Sequence, residues 1–208
     1  MAKKLIITIA RQYGSGGREI GERVAKLLEF PIYDKLLITE VASKGNLNEN
    51  IIKHADESAT NSLLYTLAVG SNTLGAAMHF GYKMPLNDKL FLLQSEAIKE
   101  YAEAGSGVFI GRCADYVLRD EANILRIFIY GDLDHRQERV KERHPELKSS
   151  QIIDVINKTD KRRSTYYNFY TGNKWGKYDC YDLAINSSTL GIEKTAELIC
   201  DIAKKMME

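Results

Sequence analysis

Five short apolar runs, separated by stretches of helical character, constrain the fold of this chain more than any other feature of its sequence. They occupy residues 4–10, 30–34, 107–111, 124–130 and 183–186. The runs at 107–111 and 124–130 are continuously apolar, which is typical of strands buried on both faces of a parallel sheet. Five strands alternating with helices predict an α/β fold of three layers, with a five-stranded parallel sheet between helices.

Helical periodicity fills the intervals between these runs. After the first strand, Ile20, Val24, Leu27 and Leu28 are spaced to form one face of a helix. Further helices are predicted over 90–104, 132–143, 150–167 and 192–206, and residues 35–84 have an irregular helical pattern. Because ligands of parallel sheets bind beyond the carboxyl ends of the strands, residues that directly follow a strand are the site candidates.

Length and composition favour a single intracellular domain. A chain of 208 residues can bury one sizeable core, and a net charge of +1 gives no overall field that would attract a nucleic-acid polymer or a membrane. Cys113, Cys180 and Cys200 are far apart, as expected of reduced thiols.

The first apolar run is too short for the core of a signal peptide. We therefore expect a cytoplasmic protein. The four histidines have no metal-ligand spacing, so no protein-bound metal centre is predicted.

Residues 58–82 form a long stretch without charge. It contains too many polar side chains to be a membrane-spanning helix, which needs about twenty mostly apolar residues. Uncharged surface usually marks a contact, so we expect this stretch to be buried against the core or against a second subunit. A homodimer is one of the expected assemblies.

A glycine-rich turn follows the first strand and carries three glycines in four residues. Backbone N–H groups of such a turn can surround an anion, and the helix behind it adds a favourable dipole. A simple tight turn, which is the alternative, would need only one glycine. The residues assigned to phosphate binding are Arg11, Gly14, Ser15, Gly16, Gly17, Arg18 and Glu19.

This turn departs from the phosphate-binding motif G-x-x-x-x-G-K-[ST], which requires a lysine after its last glycine. Gly17 takes the lysine position, Arg18 follows it, and Glu19 stands where a hydroxyl group would help. Arg11 or Arg18 would have to supply the positive charge, with a different geometry from an ammonium group. A dinucleotide-binding turn is disfavoured, because its third glycine position is Glu19 even though Asp34 suits its ribose-binding acid.

Six segments resemble the cytidylate kinase-like family of P-loop kinases, in the right order and over nearly the whole chain. They are ITIARQYGSGGREIG (7–21), PIYDKLLI (31–38), PLNDKLF (85–91), VFIGRCADYVL (108–118), DKRRSTYYNFYTGNKWG (160–176) and YDLAINSSTLGI (181–192). The resemblance implies one P-loop kinase domain of three layers, with a helical acceptor-binding flap and a basic lid. The core would be about 1–44, 88–130 and 180–208, the flap about 45–87, and the lid about 131–179.

The resemblance also implies roles for individual residues. Arg112 matches the arginine of a Gly-Arg-Asp motif that holds the acceptor phosphate, although Cys113 replaces the acid. The residues implied for acceptor binding are Asp34, Arg112, Asp115, Arg162 and Arg163. The cations expected to act on the transferred phosphate are Arg18, Arg112, Arg136 and Arg139.

The arginines of the lid also allow a simpler interpretation. Arg136, Arg139 and Arg143 share one helix face, but the interleaved acids are equally typical of a solvated helix. The aromatic run at 166–181 could stack a base, and packing is the favoured interpretation.

The implied activity is transfer of the γ-phosphate of ATP, with Mg²⁺, to CMP or a related small phosphorylated acceptor. Two alternatives stay open. One is a nucleotide-responsive binding protein that lost catalysis with its lysine, and the other is a kinase with a non-nucleotide acceptor.

Overall fold

The computed structural model describes residues 3–34 and 85–208. The irregular helical pattern predicted for 35–84, the burial predicted for 58–82 and nearly all of the predicted flap lie outside the described residues. Within the described part of the chain, no helix is long and apolar enough to cross a membrane.

A parallel sheet of five strands forms the centre of the described structure. The strands are β1 (Ile6–Arg11), β2 (Ile32–Tyr33), β3 (Gly107–Ile110), β4 (Ile124–Tyr130) and β5 (Leu183–Asn186), in the order β2-β3-β1-β4-β5. β1 therefore lies in the middle, with β3 on one side and β4 on the other. All four pairings are parallel, which confirms the predicted sheet.

Six helices surround the sheet in the described residues. They are α1 (Gly17–Leu28), α2 (Leu86–Glu103), α3 (Ala114–Val117), α4 (Leu133–Arg143), α5 (Ser149–Thr171) and α6 (Ser187–Met207), with a 3₁₀ turn at Tyr178–Cys180. The backbone of α6 is not helical at Gly191. The sequence did not predict α3, because four residues are too few to show a periodicity. Residues 131–179, the predicted lid, contain α4, α5 and the 3₁₀ turn.

Two cores confirm the three layers. Ile7 and Ile9 of β1 pack with α1 and α6, whereas Ile6 packs with α2 and α3 on the other face, as the alternation of side chains along a strand requires. The expected face of α1 needs one correction. Leu27 is 56% exposed. The buried stripe of α1 is centred between Gly17 and Gly21, and Leu27 lies at its edge.

Candidate active site

The glycine-rich turn connects β1 to α1 at the carboxyl edge of the sheet. Gly14 (φ 80°) and Gly16 (φ 76°) adopt the left-handed conformation that glycine accommodates without strain. Gly17 begins α1, and the first N–H groups of a helix have no acceptor within it. The Ser15 hydroxyl donates to the carbonyl of Gln12 at 2.9 Å, so it points into the fold. The turn can therefore hold an anion with backbone groups.

Close packing also explains why the three glycines lack side chains. A Cβ at Gly14 would lie 2.8 Å from the Arg136 carbonyl oxygen, and one at Gly16 would collide with Cδ1 of Ile192. At Gly17 it would lie 2.5 Å from Cβ of Arg11. The turn is enclosed by α4, α6 and the end of β1.

Four arginines, which we call the arginine cluster, gather beside the turn: Arg11, Arg18, Arg112 and Arg163. The guanidinium of Arg11 lies against Gly111, at the end of β3. Nη1 of Arg163 donates to the Arg11 carbonyl at 2.9 Å, so α5 contacts the end of β1. Burial, and then repulsion from Arg163, Arg112 and Arg18, lowers the pKa of Arg11 to about 9, against an opposing effect of Asp34. Burial is also the main cause that lowers the pKa of Arg163.

Arg112 is held by an unusual backbone. Gly111 (φ 75°), Arg112 (φ 56°) and Cys113 (φ 55°) are consecutive left-handed residues directly after β3. Non-glycine residues adopt this conformation at a cost, and such strain concentrates at functional sites. The Arg112 guanidinium lies 5.7 Å from the ring centroid of Tyr166 on α5. The thiol of Cys113, which replaces the acid of the family motif, is buried, and burial raises its pKa.

Arg18 differs from the other members of the cluster. Its side chain is 59% exposed, its Nη2 lies 2.8 Å from Asp34, and its Nε donates to Glu22 at 3.0 Å. Two carboxylates thus accompany the arginine that directly follows Gly17. The predicted acceptor residue Asp34 lies on the same side of the turn, at the end of β2.

The arginines of α4 divide between two acids. Arg139 and Arg143 contact Glu19 at 2.6 and 3.7 Å, and the guanidinium carbon of Arg139 lies 3.5 Å from where a Cβ of Gly16 would be. Arg136 instead pairs with Asp160 at 2.6 Å. The three arginines share the expected face of α4, but their acidic partners differ.

Arg136 and Arg139 do not behave as residues of a solvated helix. Only 10% and 18% of their side chains are exposed. In the described structure, the Nε atom of each is buried without a hydrogen-bond partner. Arg136 and Arg139 are packed against the turn, beside Gly14 and Gly16 respectively.

The remaining two predicted acceptor residues occupy different surroundings. Arg162 is exposed, whereas its neighbour Arg163 belongs to the arginine cluster, because successive helix residues point about 100° apart. Asp115 is buried, and its carboxylate accepts a hydrogen bond from the Tyr167 hydroxyl at 2.6 Å. Desolvation raises the pKa of Asp115. A cavity of about 610 Å³ lies beside Asp115, and its lining includes neither the turn nor the arginine cluster.

Sequence reasoning missed Asp160 and Ser187 as supports of the turn. Asp160 accepts from the Tyr13 backbone N–H at 2.7 Å while it pairs with Arg136. Ser187, at the start of α6, donates to the Ser15 carbonyl at 2.7 Å. Asp160 lies three residues before Arg163 and therefore on the same face of α5. That spacing is the sequence signal by which Asp160 could have been found. No local pattern pointed to Ser187.

The aromatic run packs for the most part. Tyr170 stacks on Phe91 of α2 with centroids 4.1 Å apart, and Trp175 lies edge-on to Phe128 at 5.1 Å. Tyr167 and Tyr181 are buried, whereas Tyr178 is exposed. These rings join α5 and the following segment to the sheet and to α2.

The groups around the turn are hydrogen-bond donors, which suit a phosphate anion. Backbone N–H groups and Arg139 surround the space above the turn. Within 3–34 and 85–208, no three His, Cys, Asp or Glu side chains gather as a metal-ligand set, and Glu19 contacts arginines. We therefore derive no step through a protein-bound Mg²⁺.

The sheet order, the turn after the central strand and the cations at the carboxyl edge define a P-loop kinase fold. The family model described as the cytidylate kinase-like family matches residues 6–189. The chain belongs to this family.

Solved structures agree on the fold. An uncharacterised protein from Eubacterium ventriosum is 26% identical, with a TM-score of 0.71 and coverage of 96% of this chain and 98% of that one. A shikimate kinase from Bacteroides thetaiotaomicron is 13% identical, with a TM-score of 0.52 and coverage of 97% and 99%. A shikimate kinase from Acinetobacter baumannii, in complex with shikimate, is 11% identical, with a TM-score of 0.50 and coverage of 98% and 95%. No curated protein matches.

Proposed function

We propose that this protein is a phosphotransferase that moves the γ-phosphate of ATP to CMP or a related small phosphorylated acceptor. The observation that carries the proposal is the pair of cationic regions on the two sides of the turn. Arg139 lies over Gly16 on the β4 side, and the arginine cluster lies on the β3 side. Phosphoryl transfer to a phosphorylated acceptor requires a site that holds the donor phosphates and the acceptor phosphate next to each other. Cationic regions on both sides of one turn suit that requirement.

The donor nucleotide would bind on the β4 side. Its phosphates would accept hydrogen bonds from the backbone N–H groups of the turn and from Arg139, whose guanidinium is aimed at Gly16. ATP supplies Mg²⁺ as its chelate, in which phosphate oxygens and water are the usual ligands.

The acceptor phosphate would bind on the β3 side. Arg112, directly after β3, and Arg163, from α5, approach this region from two elements. Two guanidinium groups can hold phosphate oxygens in fixed planes. The like charges of the cluster also repel one another, so a dianionic acceptor would relieve that repulsion.

This arrangement suits the chemistry of phosphoryl transfer. The reaction needs in-line positioning and cations around the migrating charge more than covalent help from the protein. Each cation named here lies at the edge of a packed element, so its position is largely set before ligands bind.

A coupled assay for ADP release, run over a panel of acceptors, tests the proposal. The panel contains CMP, the other nucleoside monophosphates, and sugars or hydroxy acids without a phosphate. We expect turnover with a phosphorylated acceptor. The nucleoside monophosphate with the highest turnover identifies the preferred base. Tight ATP binding with no turnover on any phosphorylated acceptor would contradict the proposal.

A kinase with a non-nucleotide acceptor is the second candidate, and Cys113 favours it. The family motif has an acid at this position, and here a buried thiol replaces it. Turnover confined to unphosphorylated acceptors would support this candidate. A nucleotide-responsive binding protein, favoured by Gly17, would bind ATP without turning over anything in the panel.

A further inference from the structure

We propose that Arg11 is the catalytic cation of this turn, and that it binds the transferred phosphate in place of the lysine absent at position 17. The inference rests on the proposed function and adds to it the identity of the replacing residue. Arg11 is the last residue of β1 and comes six positions before Gly17.

The stem of Arg11 occupies the space from which a lysine at position 17 would start. A Cβ at Gly17 would lie 2.5 Å from Cβ and 3.0 Å from Cγ of Arg11. Carbon atoms at such separations repel strongly, and the stem has little freedom so close to the backbone. The side chain of Arg11 and any side chain at position 17 therefore exclude each other.

The guanidinium of Arg11 fits against Gly111, which has no side chain. The guanidinium occupies the place of a Cβ there, so only glycine at 111 allows Arg11 to extend across the gap between β1 and β3. Glycines at both ends of one arginine form a slot built for that side chain. The slot leads from the phosphate-binding turn to the end of β3, where Arg112 begins.

Among the described residues, the charges around Arg11 are mostly positive. Arg163, Arg112 and Arg18 all act on Arg11 with repulsion, and Asp34 is the acid that opposes them. Asp34 itself pairs with Arg18 at 2.8 Å. Among the described residues, Arg11 makes no ion pair. A phosphate group between Arg11 and Arg112 would supply the missing negative charge.

The other candidate cations are engaged. Arg18 is exposed and contacts Asp34 and Glu22, and Arg139 contacts Glu19 at 2.6 Å. The stem of Arg11 starts beside Gly17 of the turn and its guanidinium reaches Gly111 on the acceptor side, so the side chain extends from the turn to the place where the acceptor phosphate would bind. A cation that binds the transferred phosphate stabilises charge as it moves.

Moving the positive charge from position 11 to position 17 tests the inference. The variants are Arg11→Met, Arg11→Lys, Gly17→Lys, Arg11→Gly, and the double variant Arg11→Gly/Gly17→Lys, because only glycine at 11 removes the Cβ that lies 2.5 Å from a side chain at 17. Arg23→Met on the outer surface of α1 removes one positive charge away from the slot and serves as the matched control. Calorimetry measures the affinity for pyrophosphate and for ATP, scanning calorimetry the stability without ligand, and the coupled assay the turnover.

We expect Arg11→Met to weaken pyrophosphate binding about 10- to 100-fold, which is the effect of losing one or two charge-assisted contacts. Its Tm without ligand should stay equal or rise, because like-charge repulsion is removed. Gly17→Lys alone should lose binding through the clash with Arg11. The double variant should bind pyrophosphate at least about tenfold more tightly than Arg11→Gly, since the lysine no longer meets Cβ and Cγ of residue 11.

Wild-type affinity for pyrophosphate in Arg11→Met, or a double variant no better than Arg11→Gly, would overturn the inference. A lower Tm in Arg11→Met with unchanged binding would assign Arg11 a structural role instead. If Arg11→Met does not fold, Arg11→Lys and the double variant decide by the same readout. A wild type that turns over no acceptor, while Arg11→Met still loses pyrophosphate binding, would reject the proposed reaction and retain Arg11 as the phosphate cation.

Discussion

The carboxylate of Glu19 lies 2.6 Å from Nη2 of Arg139, so an acid of α1 holds an arginine of α4 beside the glycine-rich turn. This pair joins the element that begins at the turn to the predicted lid. Glu19, two residues after the position that a lysine occupies in the P-loop motif, is thus an acid that orients Arg139. The pair also sets up a competition, because phosphate oxygens and the Glu19 carboxylate seek the same guanidinium.

Neutralising Glu19 should strengthen nucleotide binding. In Glu19→Gln the side chain keeps an acceptor for Arg139 but no longer repels phosphate, and we expect the affinity for ATP to rise about 3- to 10-fold at low salt. Calorimetric titration with ATP measures the change, and Glu193→Gln on α6 is the control. Weaker binding by Glu19→Gln would mean that the charged pair is needed to position Arg139.

Removing the charge of Asp160 should destabilise the fold. Asp160 pairs with Arg136 at 2.6 Å, and the two side chains are only 16% and 10% exposed. Its other oxygen accepts from the Tyr13 backbone, so Asp160→Asn leaves Arg136 without its counter-charge. We expect a loss of about 2–4 kcal/mol in the free energy of unfolding, measured by urea denaturation.

Asp154→Asn provides the matched control for that experiment. Asp154 forms an exposed pair with Lys158 on the same helix, and such pairs contribute about 0.5 kcal/mol or less. Equal effects of the two substitutions would show that the Asp160 pair is no more valuable than a surface pair.

Arg112→Lys separates function from folding at the acceptor side. Lysine keeps the charge but cannot hold two phosphate oxygens in one plane, so we expect about a hundredfold loss in kcat/KM with little change in Tm. Arg119→Lys is the control, because Arg119 is exposed and follows α3. A lower Tm with unchanged kcat/KM would indicate that Arg112 braces the strained backbone after β3.

Asp115 should contribute to the pH dependence of stability. Burial raises its pKa in the folded state, so its contribution to folding is fully present below the ordinary value of 3.8 and is lost as the pH rises through the folded-state pKa. In Asp115→Asn this decline should disappear, while the amide oxygen still accepts from Tyr167. Urea unfolding of both proteins between pH 4 and pH 7 measures the difference.

Asp115→Leu completes that test. It leaves the Tyr167 hydroxyl without its acceptor, and we expect a loss of about 1–3 kcal/mol at every pH. Identical pH profiles for the wild type and Asp115→Asn would show that folding does not shift the pKa of this carboxyl.

The sequence by itself determined the strands, the longer helices and the place of the turn, because these depend on local periodicity. Continuous apolar runs at 107–111 and 124–130 predicted β3 and β4, and three glycines predicted the turn. Since parallel strands share one carboxyl edge, the residues after them were expected to lie at that edge. Arg112, directly after β3, was predicted as an acceptor residue from this position and from the family resemblance.

Only the tertiary structure decided which side chains meet. The strand order puts Gly111 beside β1, so the guanidinium of Arg11 lies against Gly111 although 100 residues separate them. The rotation of α5 points Arg163 inward and Arg162 outward, and it brings Asp160 to Arg136. Strand order and helix rotation follow from the packing of the whole core, and no local pattern encodes them.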